Sequence, residues 1–176
     1  MRKIQLNAGK RDILFRSLVA LAILFVTALL QTSFLPQVDL FGAIPDLVLI
    51  LTVGVGFFGG MKVGLPFGIG AGLVCYFLGG SGAAVMILLY ALLGYLSSMY
   101  FLGRNYPSWC LYMAAACLIK MLWSFFMCIL FSAVPRPFAA LWHSILPELL
   151  GTLLLSLVLY YPVRAAARLL IRKSEL

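Results

Sequence analysis

Between Val63 and Gly103 the chain carries no charged residue of either sign. A helix or strand on the surface of a soluble domain needs a polar face, and about one-quarter of a typical soluble domain is charged. Here 10% of the 176 residues are charged and 64% are hydrophobic, with a mean hydropathy of +1.11. Too few polar groups exist to cover a globular surface, so the chain reads as an integral membrane protein. The first uncharged run, Ser17 to Val38, is 22 residues long. A signal-peptide core is only about 7–15 residues, so this run is expected to be a first span rather than a cleaved leader.

One stretch points elsewhere. "LVLILTVGVGFFGG", from Leu47, contains Gly54-x-Gly56-x-x-Gly59, the spacing of a dinucleotide-binding turn. That turn needs a following helix with a polar outer face and an acid roughly 20 residues on. The uncharged segment from Val63 supplies neither. The match is read as an accident of a glycine-rich apolar chain, and no cofactor is expected.

A crossing helix takes about 20 apolar residues. On that basis the chain reads as one all-α membrane domain, residues 1–176, a compact bundle of six spans. These cover about residues 13–35, 45–60, 63–79, 83–102, 107–134 and 147–162, with basic tails at 1–12 and 163–176. Five spans is the other count, if the third and fourth are not both complete. Cytoplasmic loops collect Lys and Arg. With six spans and both termini inside, eleven of the thirteen basic residues fall on the inner side, among them Lys62 and Arg104, while Arg136 falls outside and Lys120 within span five. The net charge of +8 then reads as a topology signal and an attraction to anionic lipid, not to nucleic acid.

Few residues offer chemistry. Gly56, Gly60, Gly64, Gly68 and Gly72 recur every four residues, the spacing that lets helix backbones approach closely in lipid. They read as packing within the bundle, or as a groove for a partner's helix. Lys120 lies midway along span five, where a charge is costly and faces protein, water or a snorkelling path. Asp46 and Glu148 each follow a proline at a span start and read first as helix caps. Glu148 and Asp46 are the possible internal partners of Lys120; placed at the outer ends of upright spans, Glu148 is expected roughly 15–20 Å from Lys120, too far for a direct pair without tilt or a deeper start to span six. No shared cleft for two acids is indicated, and His143 beside Ser144 is weak ground for a triad. Cys75, Cys110, Cys117 and Cys128 fit no zinc or disulfide spacing. Arg164, Arg168 and Arg172 form one stripe at the basic end, read as a lipid-headgroup anchor or a dock for an acidic partner.

The order of Leu30-Gln31, Pro36, Pro45-Asp46-Leu47, the glycine-rich "GLPFGIGAGL", "LLYALLGYLSS" and Pro147 before a basic end resembles the rod shape-determining MreD family. Tyr76 stands where that family often carries an acid. The resemblance implies a non-enzymatic scaffold of the bacterial inner membrane, required for rod shape and lateral peptidoglycan synthesis. It implies MreC as partner and, through it, MreB, RodA and a class B penicillin-binding protein. It also implies a fold like the six-span substrate-binding subunits of energy-coupling-factor transporters, and hence an alternative function in vitamin uptake. Against that alternative, span one has Ala20, Ala22 and Ala28 but no alanine pair four apart, so the expected coupling motif is missing.

Overall fold

The computed structural model describes residues 2–38, 44–79, 84–99, 105–130, 142 and 145–170. Among the described residues all regular structure is helical. Helix α1 (Arg2–Leu29) passes through a π-helical turn (Leu30–Phe34) into a last turn, α2 (Leu35–Val38). Then come α3 (Leu47–Gly59), α4 (Met61–Gly79), α5 (Ala84–Ser97), α6 (Tyr106–Leu130), α7 (Leu146–Val158) and α8 (Tyr160–Leu170). Among the described residues three helices are long and apolar enough to cross a bilayer: Phe15–Gln37, Met61–Leu78 and Tyr106–Leu130. The pair α7–α8 makes a fourth if counted as one span. The chain is a multi-span helical membrane protein. Arg104, Arg136, His143, Ser144 and Arg172 lie outside the described residues.

Two differences from the expected spans have local causes. The sixth span does not run straight to Pro162: α7 stops at Val158 and α8 leaves it at 72°. Pro162 is the third residue of α8, where its missing N–H falls among amides that have no intrahelical partner anyway. Gly60 is not part of a helix face. It caps α3 with φ 73°, a left-handed conformation that glycine adopts without a Cβ penalty. Its N–H donates to Gly56 O at 2.9 Å, and its carbonyl accepts from Gly64 N at 2.8 Å, so one residue turns α3 into α4.

Directions follow from the contacts. One end of the bundle is aromatic. There the C-terminal end of α3, the start of α6 and the α7–α8 bend meet through Phe57, Phe58, Trp109, Tyr112 and Tyr160. The Trp109 indole donates to Ser156 O at 3.2 Å. The 13 residues of α3 lie in the centre, with Val48 to Phe58 all buried. Gly54, Gly56 and Gly59 of the nucleotide-like spacing are therefore turns of a buried helix, with no phosphate loop between strand and helix. Gly54 is where α8 crosses: a Cβ there would fall 2.0 Å from Val163 Cγ1.

The remaining glycines make a seam between α4 and α5. A Cβ on Gly64 would lie 2.6 Å from Gly94 O, on Gly68 2.4 Å from Tyr90 O, and on Gly72 2.4 Å from Ile87 Cα. A Cβ on Gly56 would lie 2.6 Å from Gly94 O, so α3 joins the same crossing. These obstacles are backbone atoms, which cannot rotate away. Gly68→Leu is expected to destabilise the fold by about 1–3 kcal/mol, the usual overpacking cost, read as a lower melting temperature in detergent. Gly70→Ala, whose new Cβ would meet only Leu24 Cδ1 at 3.4 Å, is expected to be neutral or stabilising in the same assay, because alanine is the better helix former.

Candidate functional site

At the end opposite the aromatic cluster, α3 begins. Its cap residue Asp46 has extended backbone, φ −89° and ψ 92°. One carboxylate oxygen accepts the Leu49 N–H at 2.9 Å, the ordinary N-cap bond. A second free amide of the first turn, Val48 N–H, donates to Gln31 Oε1 at 3.0 Å. Gln31 sits in the π-helical turn of α1, a local distortion that re-aims side chains and occurs often at functional sites. The Asp46 N–H donates to Thr152 Oγ1 at 2.9 Å, and that hydroxyl donates to Glu148 O at 2.7 Å. The start of α3 is thus tied to α1 on one side and α7 on the other.

The second carboxylate oxygen of Asp46 does different work. It accepts the Tyr90 hydroxyl at 2.6 Å and the Lys120 ammonium. The same ammonium donates to Glu148 Oε1 at 2.5 Å. Asp46, Tyr90, Lys120 and Thr152 are all buried, while the Glu148 side chain keeps 31% of its surface exposed. Lys120 does not snorkel to an interface; it is clamped between two acids.

Lys120 thus meets both of its candidate partners, so the separation expected for upright spans does not hold, and the two acids do share one site. The reason is depth. Trp109 stacks on Phe58, ring centroids 6.0 Å apart, and donates to Ser156 O, so these three positions share a level. From Trp109 to Lys120 is about 16 Å along α6, and from Phe58 to Asp46 about 18 Å along α3, at 1.5 Å per residue. Ser156 to Glu148 is about 12 Å along α7, a gap that the long lysine and glutamate side chains close. A 13-residue helix reaches only about 20 Å into a core about 30 Å thick. Both acids therefore begin their helices level with Lys120, well along α6 from its start.

Beside this cluster lies a cavity of about 180 Å³. Its polar lining comes from Gln31 and Thr32 of α1, Asp46, Tyr76 of α4, Tyr90 of α5 and Lys120. Cys75 lines it too, and among the described residues no three His, Cys, Asp or Glu side chains converge as a metal site would require. Tyr76, the departure noted in the sequence, is 40% exposed at the cavity edge. At the other end Arg164 is half-buried and Arg168 exposed on α8, and the Arg16 guanidinium donates to Leu170 O at 3.3 Å. Sequence reasoning missed Tyr90 and Thr152. Thr152 is one turn beyond Glu148, a weak signal; nothing in the sequence marks Tyr90 among eight tyrosines.

Removing one partner of a buried ion pair costs about 3–5 kcal/mol, because the other charge is left unpaired. Lys120→Met is expected to lose that much stability in detergent. Glu148→Gln, at the partly solvated arm, is expected to lose no more than about 1 kcal/mol. Thermal or denaturant unfolding of the two variants checks the order.

Residues 3–171 match the family described as the 5TMR of 5TMR-LYT, a five-transmembrane LytS-associated family. The chain belongs to that family. No curated protein and no solved structure matches it. The match overturns the expected membership of the MreD family, and with it the scaffold role in cell elongation and shape; the vitamin-uptake alternative has no support. The features that carried the resemblance answer general demands: a proline-led acidic cap opens a helix inside the membrane, and glycines at intervals of four allow a close crossing.

Proposed function

We propose that this member of the five-transmembrane LytS-associated family is a non-enzymatic sensory module of a bacterial cytoplasmic membrane. Its cavity at the acid end receives the signal, and α8 passes the change on at the other end. The observation that carries this reading is the Asp46–Lys120 pair on the cavity wall, whose ammonium is also bound by Glu148. Both acids sit at the starts of helices that run directly to α8. α3 packs on α8 through Gly54 and Val163, and α7 leads into α8 through the bend. A change in how Lys120 is shared shifts the starts of two short, stiff helices that bear on one element.

The test is hydrogen exchange on the full chain. Glu148→Gln is expected to raise exchange across Tyr160–Leu170 as well as near Leu146. A change confined to the acid end, with α8 protected as in the unaltered chain, would overturn the reading.

The same reading places both termini in the cytoplasm, with six apolar segments crossing. The Arg16–Leu170 hydrogen bond supports an even count, since it brings the first and last helices together at one end. Lys62 lies at that end, next to the α3–α4 turn, as the positive-inside rule asks. α3 and α5 are 13 and 14 residues long, and a count of five or six depends on whether such short helices are scored as crossings. Arg164 and Arg168 on α8 then face anionic headgroups, each worth about 1 kcal/mol near such a surface. A reporter fused after Leu176 is expected to be active only as a cytoplasmic enzyme; activity of a periplasmic reporter there would reject the even count.

A further inference from the structure

The cavity at the acid end has a neutral wall. Its charged lining residues, Asp46 and Lys120, are buried and bonded to each other. Glu148 holds the same ammonium from outside the lining and stays partly exposed. An ion of either sign would carry into this space a charge that nothing there compensates, at a large desolvation cost. A neutral molecule enters without that cost.

The hydrogen bonds leave particular groups over. An ammonium has three donors and an amide NH2 has two. Lys120 gives one N–H to Asp46 and one to Glu148, and its third has no partner among the described residues. Gln31 Oε1 accepts the Val48 N–H at 3.0 Å, which fixes the orientation of the amide and leaves its NH2 without a partner among the described residues. Tyr90 and Thr32 direct their hydroxyl protons to Asp46 and to Ala28 O, so their remaining capacity is as acceptors. The Asp46 carboxylate is occupied by Leu49 N–H, Tyr90 and Lys120. The lining therefore offers N–H donors from α1 and α6 and oxygen acceptors from α1 and α5. The rest of the wall is largely apolar, with Ala28, Val48, Leu78 and Met86, and the ring of Tyr76 at its edge.

We infer that the cavity binds a small neutral carboxamide with an apolar body. Its carbonyl oxygen accepts from Lys120 and Gln31, and its NH2 donates to the oxygen of Tyr90 or Thr32. Its body lies against the apolar wall and the Tyr76 ring. A carboxamide presents an acceptor and a donor together with no net charge; a carboxylate or an ammonium does not. An engineered apolar cavity of about 150 Å³ holds a benzene ring, so this one, at about 180 Å³, takes one ring and a short polar group. The inference rests on the reading of this cavity as the sensing site: a carbonyl on the third N–H of Lys120 alters how that ammonium is shared between Asp46 and Glu148.

The experiment uses the purified full chain in detergent and four probes of similar shape: benzamide, sodium benzoate, benzylammonium chloride and toluene, at matched ionic strength. A saturable rise in melting temperature is expected with benzamide, and half-saturation at least tenfold higher, or none, with the other three. Gln31→Glu keeps an oxygen for Val48 N–H and removes the amide donors. It should raise the half-saturating concentration of benzamide about tenfold, the upper range for one hydrogen bond. Tyr76→Leu, at a position 40% exposed, removes only the ring and should raise it severalfold. The comparison of probes on the unaltered chain needs no variant to fold. No saturation by benzamide, saturation by either ion or by toluene at the same concentration, or unchanged benzamide binding in both variants overturns the inference. The exchange response of α8 to Glu148→Gln is read without any ligand, so it fails or stands independently.

Discussion

An ammonium shared by two carboxylates inside a membrane dictates much of this fold. Lys120 is three-fifths of the way along the 25-residue α6, so its partners must arrive at the same depth. Only helices that begin at that level can deliver an acid there: Asp46 does so as the N-cap of α3, while Glu148, expected as a cap, lies instead in the first turn of α7 behind the N-cap Ile145. α3 and α7 are such helices, and each is 13 residues long. Beginning a helix at that depth leaves amides without partners, which is costly away from water. The side chains of Asp46 and Gln31 satisfy two of them at the start of α3. The clamp and the cap are one piece of chemistry: the carboxylate that pairs with Lys120 through one oxygen closes the first turn of α3 with the other.

The glycine seam serves the same site from a distance. Tyr90 reaches Asp46 because α5 lies against α4 and α3 at backbone contact, and the closest obstacle at Gly68 is the carbonyl of Tyr90 itself. Lipid gives no hydrophobic drive between helices, so close van der Waals contact must hold them. A side chain at Gly68 would push Tyr90 outward and take a proton donor from Asp46. Packing and polar chemistry are thus coupled through one residue.

Much of this was legible residue by residue, and little of it as an arrangement. Charge depletion announces a membrane chain, glycines at intervals of four announce close crossings, and Lys120, Asp46 and Glu148 stand out as rare charges in apolar surroundings. Their meeting was not legible, because sequence spacing gives distance along a helix but not the depth at which the helix starts. Full-length upright spans put Glu148 at the outer face; the bend after Val158 removes that assumption. The bend is hidden because "SLVLYYPV" is uncharged throughout, although Tyr160, Val163, Ala167 and Leu170 already mark one buried face of α8. The family was misread for a related reason. Proline–acid caps and glycine seams are solutions to constraints of the bilayer, so their order resembles chains that solve the same constraints.

The retention of two acids for one lysine has a physical implication of its own. A buried ion pair roughly breaks even against well-packed apolar residues, since desolvation offsets attraction. Stability alone would favour replacing the cluster by leucines. A second carboxylate makes the balance worse unless part of its charge stays solvated, and Glu148 does keep partial exposure. The arrangement is therefore asymmetric: a dry acid fixed by Leu49, Tyr90 and Lys120, and a wetter acid held by Lys120 alone among the contacts described. The dry arm anchors the lysine, and the wetter arm can exchange its partner at lower cost. A cluster built for stability would bury both arms equally. One fixed arm and one exchangeable arm, set beside a cavity, is the geometry of a site whose occupancy changes.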